Sequence, residues 1–154
     1  MANERTIRPM EAKDKSEVMQ MMRIFYDSPA VFHTSSDRVL EKDIDDCISD
    51  MPFIRGFILE VSGEIAGYAM TALSYTTEYG GICVWLEDLY IKPEYRRMGL
   101  SAALFCFLEE EFPEAVRFKL EVEPENEGAV ACYKRNGYEI SPYFLMTKEM
   151  IDDN

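Results

Sequence analysis

The chain has 154 residues, 47% of them apolar and 29% charged, which fits one domain over residues 1–154 with its own hydrophobic core. A formal net charge of -13 argues against nucleic acid, whose binders carry a basic footprint, and against an anionic membrane; it suits a cationic partner or solubility alone. No apolar run is long enough to span a bilayer and Met1-Ala2-Asn3-Glu4-Arg5 lacks a signal-peptide core, so a cytoplasmic location is expected.

In chain order, Thr6-Ile7-Arg8-Pro9 reads as a short strand closed by proline. From about Glu11 to Tyr26 the pattern is helical, with Val18, Met21, Met22 and Phe25 recurring on one face, and Asp27-Ser28-Pro29 ends it. The methionines from Met19 to Met22 read as core. A loop with Phe32 and His33 leads to a second helix, about Asp37 to Ser49, with Ser35 and Ser36 as ready caps. The period then shortens. Phe57, Leu59 and Val61 alternate with Ile58, Glu60 and Ser62; Ser62-Gly63-Glu64 turns the chain, and Ile65 to Tyr75 forms the partner strand.

After a loop at Thr77 to Gly81, Cys83 to Ile91 is a long apolar strand interrupted by Glu87 and Asp88. A helix follows with Leu100, Ala103, Leu104, Phe107 and Leu108 at helical spacing, ended by Phe112-Pro113. Val116, Phe118, Leu120 and Val122 make an alternating strand broken by Pro124, and Asn126 to Arg135 a short helix closed by Asn136-Gly137. Tyr138 to Ile140 and Tyr143 to Lys148 are expected as two closing strands. This order predicts one α/β domain with a mixed central sheet of about six to seven strands flanked by about four helices.

The four cysteines, Cys47, Cys83, Cys106 and Cys132, lie among apolar residues and form no C-x-x-C pair, so they read as reduced core residues. With a single histidine, no Cys/His metal site is expected. The basic residues are clustered: Lys92, Arg96 and Arg97 gather at one turn, and Lys134 and Arg135 form a second pair. The first cluster meets Gly99 at a helix entrance, where free N–H groups and the positive end of the helix dipole favour an anion. The carboxylates Glu87 and Asp88 precede it on the strand, and alternation sends them to opposite faces.

The turn is neither a dinucleotide-binding G-x-G-x-x-G nor a Walker sequence. Arg96-Arg97-Met98-Gly99-Leu100-Ser101 resembles the R/Q-x-x-G-x-G/A pyrophosphate loop of the GNAT superfamily of acetyl-CoA-dependent N-acetyltransferases, with Ser101 where glycine or alanine is usual. Further on, Asn126-Glu127-Gly128-Ala129 through Tyr133 to Gly137-Tyr138 resembles that family's N-x-x-A-x-x-x-Y-x-x-x-G-F/Y motif. The element order is also similar along essentially the whole chain. The tract Leu86-Glu87-Asp88-Leu89-Tyr90-Ile91 is similar to the diamine and polyamine acetyltransferase branch.

The resemblance implies a GNAT-like fold and acetyl-CoA as co-substrate, with no metal. Arg97, Met98, Gly99, Leu100, Ser101 and Ala102 would offer N–H groups to the pyrophosphate. Arg96 adds charge. Leu89, Tyr90 and Ile91 would pair their backbone with the pantetheine arm, as an edge strand pairs a peptide. Asn126 and Ala129 would touch the same ligand or, for Asn126, only cap the helix. Tyr133 would lie near the sulfur and protonate it as it leaves. Glu87 would take the proton of a cationic amine, or hydrogen-bond structurally. Tyr26, Phe32 and His33 lie where the family builds acceptor specificity.

The expected reaction is acetyl transfer to a primary amine, a small cationic one, by direct attack through a tetrahedral intermediate. The alternatives are a protein or peptide N-acetyltransferase and a non-catalytic acyl-CoA-binding module. A homodimer through the closing strands is also implied by the resemblance.

Overall fold

A computed structural model describes residues 3–151. Strand β1 (Arg5–Pro9) leads through a short 3-10 turn at Ala12–Asp14 into α1 (Lys15–Tyr26) and α2 (Asp37–Ile48). Ser36 caps α2 by accepting from the Val39 N–H, which satisfies one of the open donors at a helix start. The meander β2 (Ile54–Val61), β3 (Glu64–Thr76) and β4 (Gly81–Ile91) follows, then α3 (Leu100–Glu111), β5 (Ala115–Leu120) and α4 (Glu127–Arg135). Ser62 and Gly63 take φ of 51° and 82° between the paired residues Val61 and Glu64, the left-handed geometry that a two-residue hairpin requires.

The strands form one sheet in the order β1-β2-β3-β4-β5. The first three pairings are antiparallel and the last, β4 with β5, is parallel. The alternation in β2 sorts residues between two cores. Phe57, Leu59 and Val61 join Val84 and Leu86 of β4 against Leu100, Leu104, Phe105 and Leu108 of α3. Ile58 joins Tyr68, Met70 and Tyr90 against Val18, Met21 and Met22 of α1 and Leu40, Ile44 and Cys47 of α2. Helices therefore cover both faces of a mixed sheet, as expected.

Two expectations are corrected. The sheet has five strands, not six to seven, because no described residue after Arg135 joins it. In the first predicted closing strand Ile140 is 76% exposed, and in the second Phe144 is 98% and Met146 91% exposed. Tyr143-Phe144-Leu145-Met146 is a continuous apolar run with no period of two, and Pro142 has no N–H to give a ladder. The cysteines are free thiols but not all in the core: Cys47 and Cys83 are buried, Cys132 is half-buried and Cys106 is exposed on α3. Among the described residues no helix is long and apolar enough to cross a membrane.

Candidate active site

The parallel ladder between β4 and β5 runs only from Ile82 and Ala115 to Leu86 and Leu120. Beyond Leu86, β4 continues to Ile91 with its other edge still paired to β3, while β5 has ended. Among the described residues the edge of β4 from Glu87 to Ile91 has no strand neighbour. A cavity of about 660 Å3 opens there, at the carboxyl ends of two parallel strands, where open α/β sheets commonly bind ligands. Its walls include Leu86, Leu89, Leu120 and Val122, with Glu87, Glu121 and Glu123 as carboxylates.

Glu87 owes its position to an irregularity in the sheet. Met70 pairs with Asp88 and Thr71 with Leu86, so Glu87 is an extra residue on β4, a β-bulge that re-aims side chains. Leu86 faces the α3 core, Asp88 is buried toward α1 and α2, and Glu87 lines the cleft. Its carboxylate stays accessible, yet the concave surroundings remove part of its solvent. That desolvation first, then the charges of Asp88 and Glu121, raise its pKa above the ordinary glutamate value.

Asp88 is 4% exposed. It accepts hydrogen bonds from the Tyr26 hydroxyl at 3.0 Å and the Tyr68 hydroxyl at 2.9 Å. Burial lifts its pKa to about 6 even though the two phenols pull it down. A carboxyl whose folded pKa exceeds its unfolded value gives stability that is fully present below the unfolded pKa and is lost as pH rises through the folded one. For Asp88 that window runs from 3.8 to about 6, and the loss is on the order of 3 kcal/mol. An Asp88→Asn variant is therefore expected to flatten this part of the stability profile, measured by urea unfolding at a series of pH values. An unchanged slope would contradict the assignment to Asp88.

The loop between β4 and α3 has the character of an anion cradle. Gly99 takes φ 76° and the preceding Arg97 takes φ 63°, a left-handed conformation that costs a non-glycine residue about 1 kcal/mol. Gly99, Leu100, Ser101 and Ala102 all line the cavity. The Ala103 N–H is the one that bonds back to the Gly99 carbonyl, so the first-turn N–H groups have no partner within the helix and carry the positive end of its dipole. Arg96 and Arg97 also line the cleft. Arg96 folds back, its Nε donating to the Ile91 carbonyl at 2.9 Å and its guanidinium lying 5.8 Å from the centre of the Tyr90 ring.

On the opposite wall, the Asn126 side chain accepts from the Ala129 N–H at 3.2 Å and caps α4; both residues also line the cavity. Tyr133 reaches the same cavity, with its ring held edge-on by Phe105 at 5.9 Å and Tyr138 at 6.2 Å. Its hydroxyl makes no hydrogen bond to another described residue. Burial raises its pKa, which keeps the phenol protonated.

The structure brings Glu87, Leu89, Tyr90, Ile91, Arg96, Arg97, Gly99, Leu100, Ser101, Ala102, Asn126, Ala129 and Tyr133 around one cavity. The remaining candidates lie elsewhere. Met98 packs against the α3 core. Tyr26 is spent on Asp88, and Phe25 and Ser28 of the same region line the cleft instead. Phe32 is 92% exposed and lines an adjoining cavity of about 520 Å3 with Glu123 and Glu125. His33 is exposed and lines neither cavity. Sequence reasoning missed Leu120 to Glu123, which form a wall only because β5 stops short of β4. The strand ends at Leu120, short of the Val122 that the alternation up to Pro124 predicts.

A CoA-like ligand fits these residues. The first-turn N–H groups and the two arginines suit a pyrophosphate, the open edge of β4, where Arg96 already holds the Ile91 carbonyl, suits an amide-bearing arm, and the leucines and Val122 suit apolar parts. Among the described residues no group of three or more His, Cys, Asp or Glu could hold a metal ion.

Known proteins resemble this chain in sequence and in fold. The family model described as "Acetyltransferase (GNAT) family" matches residues 18–138. The thialysine N-epsilon-acetyltransferase of Caenorhabditis elegans is 35% identical over 101 residues, which covers 64% of this chain and 59% of that protein. A structure from Clostridium difficile 630 described as a possible acetyltransferase aligns at TM-score 0.81, with 20% identity, over 96% of this chain and 99% of that one. The aminoglycoside N-acetyltransferase AAC(6')-Iy in complex with CoA aligns at TM-score 0.76, with 16% identity, over 98% of each chain. At those identities the structural likenesses speak for the fold alone.

Proposed function

The chain belongs to the acetyltransferase (GNAT) family, whose enzymes use acetyl-CoA, and from that premise we propose that its cleft transfers an acetyl group to the primary amine of a small cationic molecule. One observation carries the reading. The parting of β4 from β5 brings a helix-start anion cradle, an unpaired strand edge, a bulged glutamate and a half-buried phenol around one cavity.

In this reading the first turn of α3 and the arginines beside it hold the pyrophosphate, and the edge of β4 from Leu89 to Ile91 aligns the pantetheine arm. Bound acetyl-CoA supplies an activated acetyl thioester. The carboxylate of Glu87 takes a proton from the acceptor ammonium, directly or through a water, so that a neutral amine attacks. Its raised pKa brings it closer to the operating range of a general base. The tetrahedral intermediate collapses with cleavage of the C–S bond, the Tyr133 hydroxyl gives its proton to the departing sulfur, and the second proton shed by the nitrogen restores the phenol through solvent. No covalent bond to the protein is required.

The acceptor is inferred to be cationic from the carboxylates of Glu87, Glu121 and Glu123 in the cleft, from the net charge of -13, and from a relative named for acetylating an Nε-amine. The adjoining cavity lined by Phe32, Glu123 and Glu125 favours a second reading, a longer basic peptide.

Thiol release from acetyl-CoA, followed with polyamines, lysine analogues and basic peptides, separates these. Turnover with the small amines supports the first reading and turnover confined to peptides the second. Cofactor binding with no turnover on any acceptor would leave a binding module and refute the proposal.

A further inference from the structure

The anion cradle is braced from a part of the chain far from it in sequence. Arg5, in β1, donates from Nη1 to the Met98 carbonyl at 2.7 Å. A Cβ on Gly99 would lie 2.7 Å from that same Nη1, so the guanidinium fills the space beneath the glycine. Gly99 is thus constrained twice, by its φ of 76° and by the arginine under it. Arg5 is not among the residues lining the cavity, whereas Gly99 is.

We propose that Arg5 is a positioning residue for CoA: it fixes the Met98–Gly99 peptide so that the Gly99 N–H points into the cradle. The reasoning is geometric. In a planar trans peptide the C=O and the N–H point in opposite directions. Anchoring the Met98 oxygen on Arg5, behind the loop, turns the Gly99 N–H the other way, toward the cleft. The loop needs such an anchor. With Arg97 and Gly99 both left-handed, its conformation is costly for the arginine and easily lost through flipping of the intervening peptides. A hydrogen bond from a charged donor is among the stronger local restraints. Arg5 acts through the loop and not by touching the ligand, and the proposal rests on the cleft being the CoA site.

The test compares wild type with Arg5→Ala, each at low and at raised salt. CoA affinity is measured by titration calorimetry, kinetic constants for both substrates in the thiol-release assay, and Tm by calorimetry. Raised salt screens a long-range attraction between Arg5 and the ligand but leaves the bracing of the Met98 carbonyl, so it separates the two. Arg5→Ala should weaken CoA about tenfold and raise KM for acetyl-CoA in proportion. Its kcat, its acceptor KM and its Tm should stay near wild type, since Arg5 is exposed. The loss relative to wild type should persist at raised salt.

Wild-type affinity in Arg5→Ala overturns the proposal. So does a loss that disappears at raised salt, which would make the effect one of charge alone. Loss of the fold in Arg5→Ala would also overturn it, by assigning Arg5 to β1 stability. Wild-type protein that binds no CoA would instead refute the reading of the cleft itself, a result distinguishable from all of these.

Discussion

Tyr133→Phe is expected to lower kcat about 100-fold, within the range that a positioned proton donor contributes, and to leave KM for acetyl-CoA nearly unchanged. Phenylalanine keeps the ring that packs against Phe105 and Tyr138, so the wall of the cleft keeps its shape and only the hydroxyl is lost. That hydroxyl is free to act, because no other described residue engages it. Burial raises its pKa above the ordinary phenol value, so the acid form persists through the whole neutral range and its loss in an alkaline limb should fall above pH about 10. Steady-state kinetics over a pH series measure both effects. An unchanged kcat would remove the phenol from the proton path to sulfur.

Glu87→Gln is expected to reduce kcat/KM for the amine about 100-fold near neutral pH, and to erase the acid limb of the wild-type profile. The direction follows from the site. A base works only when deprotonated, so activity climbs as pH passes its pKa, and burial followed by the charges of Asp88 and Glu121 pushes that pKa above the usual glutamate value. The limb should therefore lie at higher pH than an exposed glutamate would give. Glutamine preserves the size of the side chain at the bulge, so CoA affinity should hold. A variant that retains the wild-type acid limb would show that Glu87 does not carry the proton.

The parts of the site that were legible in the sequence are those encoded locally. A glycine after paired arginines, at the opening of an apolar helical period, marks a loop that only a left-handed residue can make, and Gly99 has φ 76°. Asn126 at the start of α4 was legible as a cap for the same reason, since the side chain and its Ala129 partner are neighbours along the chain. Long-range features were not legible. The alternation of β4 separates Glu87 from Asp88, but only the count of residues on β3 reveals that Glu87 is a bulge between Leu86 and Asp88. Tyr26 was expected among the acceptor residues, but its hydroxyl is committed to Asp88, a partner on another element that the local sequence does not show. The closing strands failed because an apolar run without alternation names no buried face. Arg5 carried no sequence signal, because its partner at Met98 is brought near only by the sheet.

The first turn of α3 is assigned to the CoA pyrophosphate at the parted ends of β4 and β5, and amide hydrogen exchange of the wild-type protein with and without CoA tests that assignment. New protection is expected on the N–H groups from Arg97 to Ala102, with the distant loop at Thr77 to Gly80 unaffected. CoA binding that leaves Arg97 to Ala102 exchanging as in the free protein would contradict it.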